Sequence, residues 1–180
     1  TGSVVTWGYS GGGGDSSSVS SSLNSGVSHI YSNRNAFAAL KDDGSVVTWG
    51  SLYNGGDSSS VSSSLSSGVS SIYSSGSRYS TGGAFAALKD DGSVVTWGWE
   101  NNAGNSSSVR SSLNSGVSSI YSSGAAFAVL KDDGSVVTWG ESYSGGDSSS
   151  VSSSLNSGVS QIYSNSYAFA ALKDDGSVVT

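Results

Sequence analysis

No cysteine, proline or methionine occurs in these 180 residues, and Lys and Arg together number only seven. Without cysteine there is neither a disulfide nor a thiolate metal site, so the redox compartment leaves no mark on the sequence. The seven cations are scattered singly among thirteen Asp and Glu, for a net charge of -6. Binding a phosphate backbone needs clustered Lys and Arg, so no nucleic-acid partner is expected. Apolar runs such as residues 36–40 and 126–130 fall far short of the roughly 20 residues that cross a bilayer, so no membrane span is expected. Met is missing even at position 1, which leads to the expectation of a processed terminus or an excerpt of a longer chain. Charged residues make up 11% of the chain and hydrophobic residues 35%, and Ser and Gly fill most of the rest. Such a mixture describes linkers and disordered tracts, except that here the aromatic and aliphatic residues recur in fixed register, which disorder does not require.

That register is the dominant signal. Val-Val-Thr-Trp-Gly ends at Gly8, Gly50, Gly98 and Gly140, placing Trp7, Trp49, Trp97 and Trp139 at intervals of 42, 48 and 42 residues, and the same interval predicts a further Trp at 181. A repeat of this length is one supersecondary unit that cannot bury its own apolar face, so neighbouring copies must cover it by stacking. The chain divides into units 3–44, 45–92, 93–134 and 135–176, with 177–180 beginning a fifth.

The second copy shows what one unit contains. Ser45-Val-Val-Thr-Trp-Gly50 is rich in β-branched and aromatic residues and follows Asp42-Asp43-Gly44, a turn signal, so it reads as a strand after a hairpin. Its partner, Ala36-Phe-Ala-Ala-Leu-Lys41, is apolar at successive positions and is therefore expected to be covered on both faces. After a variable loop, Asp57 is placed to cap a short helical turn, with Val61 and Leu65 on one face and Gly68 near its end. Ser is a mediocre helix former, so this turn must dock on the sheet through Val61 and Leu65 to persist. Val69-Ser-Ser-Ile72-Tyr73 predicts a third strand. The cap recurs as Asp15, Asp57, Asn105 and Asp147. Asn at one of the four positions favours capping over metal ligation, since a carboxylate site would lose its charge there.

The order Val-x-x-Ile, Ala-Phe-Ala-Ala-Leu-Lys-Asp-Asp-Gly-Ser-Val-Val-Thr-Trp-Gly, then a loop ending Gly-Gly-Asp, resembles the repeat of the regulator of chromosome condensation family, across all four copies. It looks closer to short bacterial versions whose blades have three strands. The resemblance implies a β-propeller. The loop after Trp-Gly lacks that family's usual Asn and Gln-Leu-Gly pattern, so nucleotide exchange and chromatin binding are not carried over. Four copies, where family members usually have seven, leave a closed ring and an open or filamentous array both standing at this point. The reading is all-β: tandem repeats of about 42 residues forming propeller-like blades with a short helical turn.

Little in the chain points to chemistry. His29 is the only His and aligns with Ser71, Ser119 and Gln161, as a variable surface position does. The pairs Asp42-Asp43, Asp90-Asp91, Asp132-Asp133 and Asp174-Asp175 suit hairpin turns better than calcium or acid-base work, because adjacent side chains on a turn point apart. No catalytic residue, cofactor or metal site is expected. Individuality lies in the loops, where Arg78, Tyr79, Trp99, Glu100 and Arg110 are the candidate binding residues, because exposed aromatic and Arg side chains are favoured in interfaces. Val4 and Val5 form a strand without its hairpin partner. Val178 and Val179 would compete with them for a place beside residues 168–173, so Val4, Val5, Phe169, Val178 and Val179 are expected assembly edges. The leading expectation is a non-catalytic structural protein, extracellular or on a cell surface, that stacks end to end with copies of itself or with further repeats of a longer chain. The alternative is a propeller module that recognises a protein or glycan through its loops.

Overall fold

A computed structural model of the chain describes residues 2–76, 82–101 and 103–180. Among the described residues the strands form four antiparallel three-stranded sheets. These are β1 (Val27–Ser32), β2 (Ala36–Lys41) and β3 (Val46–Gly50); β4 (Val69–Ser75), β5 (Ala84–Lys89) and β6 (Val94–Gly98); β7 (Val117–Ser122), β8 (Ala126–Lys131) and β9 (Val136–Gly140); and β10 (Val159–Ser164), β11 (Phe169–Lys173) and β12 (Val178–Val179). In every sheet the middle strand in sequence is the middle strand in space. The first strands pack in succession, β1 by β4, β4 by β7 and β7 by β10, as the inner strands of propeller blades do. The fold is all-β, with four propeller-like blades.

Each hairpin is closed by the residues that signalled it. The Gly44 amide donates to the Lys41 carbonyl at 3.0 Å and the Lys41 amide to the Ser45 carbonyl at 2.9 Å, the pattern of a three-residue loop ending in a left-handed residue. Gly44 has φ +75°, and a Cβ there would sit 2.7 Å from the Gly68 amide nitrogen, so only glycine fits. Asp43 accepts bonds from the Ser45 hydroxyl and amide at 2.6 and 2.9 Å. Asp91, Asp133 and Asp175 accept the same pair of bonds.

Those bonds, the Ser hydroxyl first and the Ser amide second, hold the four carboxyls below their ordinary pKa. A carboxyl whose folded pKa lies below its unfolded value contributes stability that is complete above the ordinary carboxylate range and is lost as pH falls through the folded pKa. Asn can keep the acceptor oxygen but does not titrate. The quadruple variant Asp43→Asn, Asp91→Asn, Asp133→Asn, Asp175→Asn is therefore expected to lose less thermal stability than the parent between about pH 5 and about pH 2, measured by melting curves across that range. Parallel acid limbs would overturn the assignment.

The linkers between sheets carry the expected Asp or Asn one residue ahead of the cap itself, which is Ser16, Ser58, Ser106 or Ser148 and makes no side-chain capping bond. Asp57 accepts the Ser59 amide at 2.9 Å, and Asp15, Asn105 and Asp147 accept the equivalent amides. Beyond each cap the chain is mostly 3₁₀ helix, at Ser17–Val19, Ser59–Val61, Ser107–Leu113 and Ser149–Ser154, with one α-helical turn at Ser20–Leu23. Ser-rich segments this short lack the propensity to extend a regular α-helix. They persist by docking: Leu23, Leu65, Leu113 and Leu155 are buried. Each is reinforced by a lysine from a middle strand. Lys89 Nζ donates to the Ser64 carbonyl at 2.6 Å, Lys131 to Ser112 and Lys173 to Ser154 at 2.7 Å, and Lys41 to Ser22 and Ser25. All four lysines are thus bonded to backbone carbonyls.

Two features of this packing position the candidate site. First, sheets and sequence units are out of phase. β1 and β2 belong to unit 3–44, whereas β3 begins unit 45–92, so each blade takes its third strand from the following unit. Second, each blade has unlike faces. Ala36, Ala38 and Leu40, with Tyr31, make a flat side that receives Ile72, Phe85 and Trp97 of the next blade. Ala84 and Ala86 likewise receive Ile120, Phe127 and Trp139, and Ala128 and Leu130 receive Ile162 and the half-buried Phe169.

Candidate functional site

Because a small face always meets a bulky face, the two end blades each keep one face unmatched. On the first blade Ile30 is 48% exposed, whereas Ile72, Ile120 and Ile162 are 2–3% exposed. The small face of the last blade is open as well: Ala168 is exposed, whereas Ala36, Ala84 and Ala126 are buried.

The outer end of each contact holds an indole. Trp49 Nε1 donates to the Gly13 carbonyl at 3.0 Å, Trp97 to Gly55 at 3.1 Å and Trp139 to Ala103 at 3.0 Å. Each indole lies against the Phe opposite it on the neighbouring strand, with ring centroids 5.2 Å apart for Phe37–Trp49, 5.3 Å for Phe85–Trp97 and 5.4 Å for Phe127–Trp139. These three indoles are 2–3% exposed, yet Trp7 is 85% exposed. In the last blade, Phe169 and Gly145 stand where Phe127 and Ala103 stand in the third. Between them lies a cleft of about 210 Å³ whose lining includes Val151, Leu155, Ala168 and Val179.

The expected edge residues divide between these two ends. Val4 is half-buried against Leu23 and Trp49, whereas Val5 is 79% exposed. Phe169 and Val179 are half-buried, and Val178 is 61% exposed. Trp7, Ile30, Gly145 and Ala168 belong with them and were not singled out from the sequence. The signal that could have found them is the comparison of copies: Trp7 is the one repeat Trp with no Ala-Phe-Ala strand before it.

Of the loop candidates, Arg78 and Tyr79 lie outside the described residues. Trp99 and Glu100 line an open cleft of about 560 Å³ with Leu52, Tyr53, Asp57 and Asn101. Tyr53 meets Trp99 edge to face at 6.3 Å. Trp99 is also half-buried, and a Cβ on Gly82 would fall 2.3 Å from the indole, so Trp99 both fills space beside Gly82 and presents an edge to solvent. Arg110 is exposed in the turn Ser107–Leu113 and is not part of that cleft. His29 is exposed, its ring tilted toward Tyr31 at 6.3 Å. Among the described residues no three His, Asp or Glu side chains gather as a metal site would require, and no helix is long and apolar enough to cross a membrane.

Blades built this way define an RCC1-like repeat fold. Solved structures of that fold lie nearby: Prp20p from Saccharomyces cerevisiae has a TM-score of 0.52 at 15% identity, over 85% of this chain and 43% of the other. A structure of Kap60 bound to yeast RCC1 (Prp20) matches at 0.51 and 15%, over 84% and 42%. The ectodomain of the Physcomitrella patens receptor kinase CR4 matches at 0.50 and 18%, over 86% and 38%. The chain therefore spans less than half the length of each of these structures. No family model matches the sequence, and no curated protein matches it either.

Proposed function

We propose that this chain is a non-catalytic structural repeat protein whose blades continue end to end into an extended assembly, through further copies or through further repeats of a longer chain, on a cell surface or outside the cell. The observation that carries the reading is the pair of unmatched faces. Ile30 at one end and Ala168 at the other are the two halves of a contact made between each pair of successive blades within the chain. A contact between unlike faces builds a ring if its rotation closes and a filament if it does not. The tie of Lys41, Lys89, Lys131 and Lys173 to carbonyls, together with the acidic balance, supports a protein partner over a nucleic acid. Low charge and abundant Ser and Gly favour the surface location.

Sedimentation and negative-stain microscopy test it. The chain is expected to form oligomers, and Ile30→Glu or Ala168→Glu, each on an exposed position, is expected to leave monomers. Mixing the two variants should restore one contact and stop at dimers, because each supplies the face the other has lost. Monomers of the parent at every concentration would overturn the reading.

The second reading, a propeller module that grips a protein or glycan, is favoured by the Tyr53–Trp99 pair over its polar-edged cleft. Protein binding by the Prp20p neighbours is in keeping with it. Trp99→Ala leaves association intact if assembly is the function. A glycan or protein ligand lost with Trp99→Ala, in chains that stay monomeric, would favour the module.

A further inference from the structure

We infer that the cleft between linkers 51–68 and 99–116 receives an arginine side chain of a partner protein, stacked against Trp99 and Tyr53 with its guanidinium toward Asp57 and Glu100. This rests on the second reading, the binding module, and names what the module grips.

The frame of this cleft is repeated, and its recognition residues are not. A cleft between linkers 9–26 and 51–68 is lined by Asp15, Thr48, Trp49 and Gly50. One copy later the matching positions are Asp57, Thr96, Trp97 and Gly98. Gly11 and Leu52 of the earlier cleft give way to Tyr53 and Glu100, and Trp99 stands where linker 51–68 has Ser51. The scaffold forms without these three residues, so two rings and a carboxylate are additions to it. Both rings are also held. The Trp99 amide donates to the Gly83 carbonyl at 3.0 Å, and the Gly83 amide donates to Asn54 Oδ1 at 2.6 Å. Asn33 Nδ2 in turn donates to the Asn54 carbonyl at 2.7 Å. Gly83 thus ties the turn Leu52–Asn54, which carries Tyr53, to the strand end that carries Trp99. The two rings meet at 75° and form a corner. Little ordering remains to be done on binding, which favours association.

A corner of two aromatic rings beside two carboxylates is complementary to a cation. The faces of Trp and Tyr rings carry partial negative charge and attract one. Asp57 and Glu100 are exposed and line the cleft, and among the described residues no Lys or Arg lines it. A guanidinium suits the place better than an ammonium. It is planar and weakly hydrated, so it stacks on a ring while its edge donates to a carboxylate, whereas an ammonium holds its water more strongly. A neutral sugar would use the rings and gain nothing from the charges, and an anionic ligand would be repelled. The cleft, about 560 Å³ and open to solvent, has room for the peptide groups flanking the side chain. That points to a protein as the source, and Trp, Tyr and Arg are the residues that dominate protein interfaces.

The test titrates N-acetyl-arginine amide into the full chain and follows the Trp99 indole N–H by NMR, the signal being assigned by its loss in Trp99→Ala. Binding is expected, and it should weaken as salt is raised, because exposed charges are screened. The citrulline amide, a neutral isostere, should bind about tenfold or more weakly, and the lysine amide about threefold or more weakly. Trp99→Ala, read from the shift of the arginine signals, should cost about tenfold. Tyr53→Ala and Glu100→Gln, both at exposed positions, should each cost about threefold and leave the melting curve in place. Arginine and citrulline bound alike, or arginine binding indifferent to Tyr53→Ala and Glu100→Gln, would overturn the inference. Maltohexaose bound through Trp99 while the arginine amide is not would overturn it too and leave the module reading standing. If neither probe binds at the cleft, the inference fails and the module reading loses the cleft as its support.

Discussion

Trp97→Ala lowers the stability of the chain by about 3–5 kcal/mol, the usual cost of emptying a buried aromatic site, while Trp7→Ala stays within about 0.5 kcal/mol of the parent. The two residues occupy the same place in the same phrase, so propensity and local sequence cannot separate them. Their surroundings do. Trp97 is 3% exposed, lies on Phe85 and donates to the Gly55 carbonyl. Removing its indole empties a cavity between the first two blades and leaves that carbonyl without its bond, two losses that add. Trp7 at 85% exposed has no burial to lose. For a chain of this size the loss at Trp97 is a drop in Tm of roughly 6–20 °C, and melting of the two variants side by side measures it. The Trp7 comparison is made on dilute protein, where association does not contribute. Equal effects would mean that the repeat Trp acts through local strand propensity and not through the blade contact.

The second large effect comes from adding atoms. Ala84→Leu is expected to cost about 1–3 kcal/mol or more, because a well-packed contact accepts extra methylenes only by moving backbone. Ala84 is 1% exposed and shares its face with Ala86, against which Ile120, Phe127 and Trp139 are packed. The same substitution at Ala168, an exposed position, is expected to leave the melting curve unchanged and to weaken association of copies. Denaturant unfolding of the two variants, with sedimentation of the second, checks both halves. A cost at Ala168 equal to that at Ala84 would mean that the last blade is covered in solution by something other than a second copy.

The hairpins were legible because local chemistry specifies them. Asp-Asp-Gly-Ser between two β-rich runs needs no tertiary information, and Asp43, Gly44 and Ser45 make the turn among themselves and with the strand ends. Burial of the middle strand on both faces was equally legible from Ala-Phe-Ala-Ala-Leu. Which face meets which neighbour was not, because alternation reports two apolar sides and not the partner of each. The phase of the sheets was hidden for a related reason: a periodic sequence has no origin, so nothing in it says whether Val46–Gly50 ends one blade or begins the next. The helical turn was legible in place, but its cap falls one residue later than expected, at Ser58, with Asp57 accepting the Ser59 amide just ahead of it, and its 3₁₀ form reflects Ser content and docking through Leu65. At the candidate site, Trp99 stood out as an odd residue in its loop. Tyr53 did not, since the link between them is made only when two successive linkers come side by side.

The offset between unit and sheet has a mechanical consequence. Between the first two units the ladder from Leu40 opposite Val46 to Ala36 opposite Gly50 ties the first blade to the unit after it. Tension applied along the chain is carried across this junction by backbone hydrogen bonds as well as by apolar contact, so neighbouring units cannot part without stripping a strand.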